Sequence, residues 1–222
     1  GLKYYKALLF GSIGSIVETS DLQRKSFNQA FKQSHLNWYW SKKKYEKLLN
    51  KSGGEDRITR YAKQKKVAVD AKKLRSLKTK LFNNYLKKNK LKPRSGVIRL
   101  IKYCKYKKIK VAFVTSTTKN NVDAVFISLN NYIKKSDFDY IGHNKIIKNF
   151  KNKSDIYKNC LKKLNLLPKD CIAIEDTEIS LKYALKANLR CVAFPGDFHQ
   201  TGKYINSLAK VKSLQPKEII SL

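Results

Sequence analysis

The sequence lacks any apolar run that approaches the ~20 residues of a membrane-spanning helix. Its first residues contain no apolar segment of the kind that a secretory signal has. The four cysteines form no C-x-x-C pair, and their wide spacing excludes a clustered zinc site. We therefore expect no membrane association and a cytoplasmic location, or the interior of a reducing organelle, with cysteines as buried free thiols. They are Cys104, Cys160, Cys171 and Cys191.

Acidic residues are also scarce, and 49 Lys and Arg against 16 Asp and Glu give a formal net charge of +33. Such a charge attracts nucleic acid, anionic membranes or acidic partners. However, the lysines are spread along the whole chain and greatly outnumber the arginines, which are better readers of phosphates and base edges. A lysine-rich, asparagine-rich composition also results from an AT-rich genome. Both explanations stay open, and we predict weak, sequence-independent nucleic-acid binding.

Two patterns divide the chain. From Asp21 to about Lys90 the apolar residues recur at helical spacing, with N-cap candidates at Asp21, Ser41 and Asp70. Beyond Pro93, short apolar runs alternate with helical segments, which is typical of a parallel sheet covered on both faces. The predicted helices are 22–33, 42–49, 55–65, 71–88, 97–106, 119–129, 154–163, 178–187, 203–210 and 218–222. The predicted strands are 7–10, 109–114, 138–141, 171–174 and 191–194.

These patterns predict an α/β fold with a Rossmann-like, doubly wound and mostly parallel sheet. The predicted core comprises residues 1–17 and 91–222, and the predicted α-helical insert comprises residues 18–90. The first strand precedes a tight loop that Gly11 and Gly14 punctuate. Loops at the carboxyl ends of the strands are where an open α/β sheet binds its ligand.

The stretch from Lys6 to Thr19, KALLFGSIGSIVET, resembles the first motif of the haloacid dehalogenase superfamily. In that motif a strand is followed by Asp-x-Asp-Gly-Thr, an apolar pair, an acid and Thr. Gly11 and Ile13 stand where the family has its nucleophile and its general acid/base. The resemblance therefore implies the family's fold, with its helical insert acting as a cap, but no intact catalytic pair and no phosphatase turnover.

The second motif of the family is an apolar strand that ends in Thr or Ser. The stretch from Ile109 to Ser116 matches it, with Thr115 at the key position. The resemblance implies that Thr115, Ser116 and Ser12 contact a phosphate. Ser12 is also the only nearby nucleophile, but no histidine adjoins it in the sequence.

The third motif is a lysine ahead of a helix, which neutralises the phosphate in the family. Lys151 matches it by register, although Asn152 and Ser154 replace two prolines of the pattern. The assignment stays open because other lysines lie close by. They are Lys145, Lys148 and Lys153.

The fourth motif is the apolar run from Cys171 that ends in Glu175 and Asp176. Two acids at a strand end are costly unless they bind a cation or cap a helix. The family uses this pair to hold Mg²⁺, and with Gly11 in place of a carboxylate we expect only weak Mg²⁺ binding. Restoring aspartates at Gly11 and Ile13 is expected to return some of it. The alternative is that Asp176 merely caps the following helix.

Within the helical insert, the stretch from Trp38 to Ile58 resembles the caps of β-phosphoglucomutases and of CbbY-type sugar-bisphosphate phosphatases. The resemblance implies that Arg57 contacts a phosphate. The alternative is an ordinary salt bridge.

The sequence thus leaves two main hypotheses and a third possibility. In the first, the chain is a hydrolase relative without phosphoryl transfer that keeps a pocket for a phosphorylated or other anionic small molecule. In the second, the fold is a scaffold whose basic surface binds nucleic acid or a ribonucleoprotein. An active enzyme with unfamiliar chemistry is the third.

Overall fold

A computed structural model of the protein describes residues 5–145 and 152–222. The chain divides into two compact units, which are Gly1–Glu18 with Lys90–Leu222, and Thr19–Asn89. Across the described ranges, the structure contains no helix with the length and apolar character needed to cross a membrane.

A five-stranded, wholly parallel sheet forms the centre of the first unit. Its spatial order is β3-β2-β1-β4-β5, so the direction of winding changes between β1 and β4. Short apolar runs, buried almost throughout, form these strands because both faces of the sheet are covered. The strands are β1 (Ala7–Phe10), β2 (Lys110–Val114), β3 (Tyr140–Gly142), β4 (Cys171–Glu175) and β5 (Arg190–Ala193).

Successive strand residues point to opposite faces and serve two separate cores. Ala7 and Leu9 belong to the core that includes residues of two helices following β3 and β4. Phe10 and Phe113 lie on the other face, where their rings meet Phe126 and Phe138. The helices of this unit are α1 (Ile13–Ile16), α6 (Val97–Tyr106), α7 (Lys119–Ser128), α8 (Lys153–Leu164), α9 (Glu178–Lys186) and α10 (Pro216–Ile220).

The second unit is helical throughout, and its core is aromatic. Trp40 is fully buried, and its indole lies 4.7 Å from the Phe31 ring centroid and 5.0 Å from that of Phe27. Tyr45 and Tyr61 complete the cluster around it. The helices are α2 (Ser20–Gln33), α3 (Lys42–Leu48), α4 (Gly54–Lys65) and α5 (Ala71–Lys88).

The α/β class is confirmed, and the four cysteines are buried free thiols as predicted. The helix predicted over residues 203–210 is wrong. Ala193 N donates to Ala209 O and Val211 N donates to Ala193 O, both at 2.8 Å, so the segment runs along β5. Tyr204 has a φ of 49°, which a right-handed helix does not accommodate. Pairing with the sheet edge overrides the local helical spacing.

The N-cap predicted at Asp21 is also corrected. Thr19 precedes α2, and Asp21 lies in the first turn, where it pairs with Arg24 at 2.8 Å. Asn152 caps α8, since its Oδ1 accepts from Ser154 N at 2.9 Å. The caps predicted at Ser41 and Asp70 are confirmed.

Candidate functional site

The loop after β1 and the acidic end of β4 meet because these two strands are neighbours in the sheet. Gly11 N donates to Ile174 O at 2.9 Å, which continues the pairing one residue beyond β1. The predicted tight loop contains the single-turn α1, and Ser15 Oγ donates to Ser12 O at 2.7 Å. This is the switch point where a doubly wound sheet binds its ligand.

Ser12 connects Glu175, the last residue of β4, with Asp176, which follows it. Its hydroxyl lies 2.9 Å from Glu175 Oε1 and 2.6 Å from Asp176 Oδ1 and donates to these carboxylates. Hydrogen bonds to carboxylates are stronger than those between neutral groups. Only the strand order reveals this contact, since Ser12 and Glu175 are 163 positions apart in the sequence.

Glu175 is fully buried and is surrounded by hydrogen-bond donors. Its Oε2 lies 2.9 Å from Lys153 Nζ, and the Tyr157 hydroxyl donates to the same oxygen. Burial raises the pKa of the Glu175 carboxyl, and the Lys153 ammonium opposes that rise. Burial, with the charge of Glu175, raises the pKa of Tyr157 well above its ordinary value, so this phenol stays protonated.

The register of the third motif predicts its lysine at Lys151, which lies outside the described residues. Lys153, considered only as a neighbour, is the first residue of α8 and reaches Glu175. The role of Tyr157 was missed because its position in the α8 pattern resembles that of an ordinary core residue.

The space beside Gly11 is already filled. A Cβ at this position would lie 1.9 Å from the Tyr157 hydroxyl and 2.2 Å from Glu175 Oε2. Real Cβ atoms do not approach other atoms so closely, so any side chain at residue 11 must displace its neighbours. Ile13, at the position of the family's general acid, is buried.

Asp176 does not cap the helix that follows it. Thr177 is the N-cap of α9 and accepts from Ser180 N at 3.0 Å, so the capping alternative for Asp176 is wrong. The Asp176 carboxylate instead lies against the first loop, where a Cβ on Gly14 would be 1.8 Å from its Oδ2.

Thr115 and Ser116 follow β2, the neighbour of β1, and therefore lie at the same edge of the sheet. Thr115 is buried, and its Oγ1 accepts from Thr117 N at 3.2 Å. Ser116 is exposed. Both residues thus lie at the carboxyl-terminal end of β2.

Arg57 lies in the helical unit, where it is buried. Its guanidinium donates to the Leu48 and Lys51 carbonyls at 3.3 and 3.1 Å and lies 5.8 Å from the Tyr45 ring centroid. In the described part of the chain it has no carboxylate partner, so the salt-bridge alternative is wrong there. Arg57 thus fixes the turn between α3 and α4.

Lys78 of α5 is a further candidate that the sequence pattern did not reveal. Its Nζ lies 4.6 Å from the Phe27 ring centroid and 5.6 Å from that of Phe82. Burial, with the positive charges of Arg57 and Arg75, lowers the pKa of Lys78 to about 7. The Lys78 ammonium donates to the side-chain carbonyl of Gln23.

The acids at the end of β4 do not fit the Mg²⁺ that the resemblance implies. Mg²⁺ requires near-octahedral oxygen coordination, yet Glu175 Oε1 accepts from Ser12 and Oε2 accepts from Lys153 and Tyr157. Within residues 5–145 and 152–222, no three His, Cys, Asp or Glu side chains come together to hold a metal.

The chain is similar to known proteins in both sequence and structure. Residues 14–194 match the sequence model of a family described as haloacid dehalogenase-like hydrolase. The protein CbbY of Rhodobacter capsulatus is 31% identical over 196 residues, which make up 87% of this chain and 86% of that protein. Two crystal structures of CbbY from Rhodobacter sphaeroides are each 28% identical and cover 94% of both chains. The structure in complex with phosphate has a TM-score of 0.82 to this chain. The structure of a variant in complex with xylulose-(1,5)bisphosphate has a TM-score of 0.83.

Proposed function

The chain belongs to the haloacid dehalogenase-like hydrolase family, and we propose that it binds a phosphorylated small molecule without hydrolysing it. The observation that carries this proposal is the site around Gly11, where Tyr157 and Glu175 fill the space for a side chain. Covalent phosphoryl transfer needs a nucleophilic side chain at the reacting phosphorus. Ile13 can neither donate nor accept a proton, so the acid/base step has no group at that position.

The proposed phosphate contacts are the hydroxyl groups of Thr115 and Ser116 at the end of β2, together with Lys151. Ser12 is not included, because its single hydroxyl hydrogen is already donated to the Glu175 and Asp176 carboxylates. The complex of the similar CbbY with xylulose-(1,5)bisphosphate supports a sugar phosphate as the ligand class. We do not include Arg57, because its guanidinium is engaged by two backbone carbonyls. We also propose that the helical unit is a cap.

The test is the effect of a ligand on the melting temperature, with inorganic phosphate and xylulose 1,5-bisphosphate as probes. A ligand at 100 times its dissociation constant stabilises a protein by about 2.7 kcal/mol. We expect a concentration-dependent rise in wild type and its loss in Thr115→Val. Thr201→Val, at an exposed threonine, is the matched control.

Hydrolysis is measured beside binding. We expect no turnover of small phosphate esters above background, with or without Mg²⁺. Loss of a catalytic nucleophile has cost on the order of 10⁶ in kcat in another hydrolase. Turnover that disappears with EDTA would contradict the proposal, and Ser12→Ala would then test the remaining nucleophile.

A second candidate, a scaffold that binds nucleic acid through its basic surface, is favoured by the net charge of +33. A groove in the helical unit is lined by Lys44, Lys47, Lys65 and Tyr61. The ammonium groups of Lys44 and Lys65 lie within 5.7 Å of the Tyr61 ring centroid. Elution from heparin at increasing salt distinguishes the candidates. Phosphate contacts predict a steep loss of affinity with salt. A variant with these three lysines changed to Gln should elute from heparin at lower salt than a control variant with three other exposed lysines changed to Gln.

A further inference from the structure

We propose that the ammonium group of Lys153 is a built-in cation that takes the place of a divalent metal ion beside Glu175. A buried carboxylate is costly unless a positive charge and hydrogen bonds compensate it. Glu175 is fully buried, and the Lys153 side chain is only 6% exposed. Their 2.9 Å contact supplies the compensation from within the chain.

The groups around this ion pair are arranged for an ammonium rather than for a metal. The Ser12 hydroxyl donates to the β4 carboxylates, and the Tyr157 hydroxyl donates to Glu175. A metal needs lone pairs directed towards it, whereas these hydroxyl groups present their hydrogens to the carboxylate oxygens. Both oxygens of Glu175 are therefore already engaged.

The glycine at residue 11 is part of the same arrangement. Its missing side chain leaves the space in which the Tyr157 hydroxyl and Glu175 Oε2 meet. A carboxylate from this position would be a further metal ligand, and Gly11 supplies none. A divalent ion here would also lie close to the Lys153 ammonium, where charge repulsion in a buried environment is strong.

Mn²⁺ is the probe, because its unpaired electrons allow binding to be followed by electron paramagnetic resonance without any enzyme activity. We expect no saturable Mn²⁺ binding to wild type at concentrations up to about 1 mM. This concentration corresponds to the weakest protein sites for divalent ions. Lys153→Met should gain Mn²⁺ binding and a rise in melting temperature with Mn²⁺. Lys158→Met, at an exposed lysine of the same helix, should behave like wild type.

Saturable Mn²⁺ binding by wild type that Glu175→Gln abolishes would overturn the proposal. A Lys153→Met variant that folds and gains no Mn²⁺ binding would overturn it as well, because Lys153 would then not be what excludes the metal.

Lys153→Met leaves Glu175 without its counter-charge, so this variant is tested for folding first. If it does not fold, the double variant Lys153→Met with Glu175→Gln decides. Because the double variant replaces the ion pair by a neutral pair of similar size, it should fold. Its melting temperature should be near that of wild type and should not respond to Mn²⁺. Failure of the double variant to fold would show that the Lys153–Glu175 pair does more than compensate a buried charge, which contradicts the proposal.

Discussion

At the scale of single residues, the site depends on a glycine and on two side chains of α8. Because Gly11 has no side chain, the Tyr157 hydroxyl can reach Glu175. Lys153 supplies the positive charge that compensates the Glu175 carboxylate. The expectation that aspartates at residues 11 and 13 return some metal binding stays a prediction. An aspartate at residue 11 must first displace the Tyr157 hydroxyl and the Glu175 carboxylate.

We predict that Gly11→Ala destabilises the protein by about 1–3 kcal/mol, the usual cost of overpacking a filled site. Tyr157→Phe removes the hydroxyl that lies 1.9 Å from the new Cβ, so the double variant should lose less stability than the sum of the two single changes. Urea unfolding of the four proteins measures this coupling. Strict additivity would show that Tyr157 does not fill the space.

A second residue-scale prediction concerns Lys78, whose pKa of about 7 lies below the ordinary 10.5. Between these values the unfolded chain binds more protons than the folded one, so Lys78 makes stability rise with pH, by at most about 1.4 kcal/mol per pH unit. Urea unfolding at pH 7–9 should therefore give a steeper rise for wild type than for Lys78→Met. Lys80→Met, at an exposed neighbour, should follow wild type. Parallel curves for wild type and Lys78→Met would contradict the shift.

At the scale of elements, one side chain joins the loop after β1 to the segment after β5. Arg94 Nη1 donates to the Gly14 and Phe194 carbonyls and its Nη2 to that of Pro195, all at 2.7 Å. The guanidinium also lies 3.4 Å from the Phe194 ring centroid. The planar fork of arginine makes this set of contacts, and a lysine cannot reproduce it.

We predict that Arg94→Lys lowers the free energy of unfolding by about 1–3 kcal/mol, the cost of leaving buried carbonyls unsatisfied. Amides of the loop after β1 should also exchange their hydrogens faster, since the loop loses its link to the other side of the site. Arg99→Lys in α6 is the exposed control and should change neither quantity. An equal effect of both substitutions would assign the loss to lysine itself rather than to the Arg94 contacts.

At the scale of the whole molecule, the excess of positive charge acts against folding. Like charges held at a net +33 repel one another more in the compact state than in the unfolded chain. Salt screens this repulsion over a distance of about 10 Å at 0.1 M ionic strength. Surface ion pairs such as Lys25 with Asp21 and Lys119 with Asp123 are exposed enough to contribute little.

We therefore predict that the melting temperature rises when NaCl increases from about 20 to about 200 mM in the absence of ligand, as the Debye length shortens. The rise should be smaller in a variant with five exposed lysines changed to Gln, because that variant has less repulsion to screen. A melting temperature that stays constant or falls with salt would show that attractive pairs outweigh the net charge.

The amino-acid sequence by itself determined the parallel α/β class, the helical segment and the residues at the strand ends. Short apolar runs such as Ala7–Phe10 and Cys171–Glu175 are local signals, since a strand buried on both faces must be apolar. The positions of Gly11 and Asp176 followed from the same runs. Periodicity did not predict the path of residues 203–210, whose conformation depends on the hydrogen-bonding edge of β5.

Only the tertiary structure decided which groups surround Glu175. Lys153 and Tyr157 reach it because α8 packs on the face of the sheet that leads to the end of β4, and Ser12 reaches it because β1 lies beside β4. The pKa of Lys78 is lowered by burial, against rings that include Phe27 of α2, and by the charge of Arg57 of α4. The physical reason is the same in each case. Burial and electrostatics depend on distances in space between groups that are far apart along the chain, and local sequence patterns carry no record of those distances.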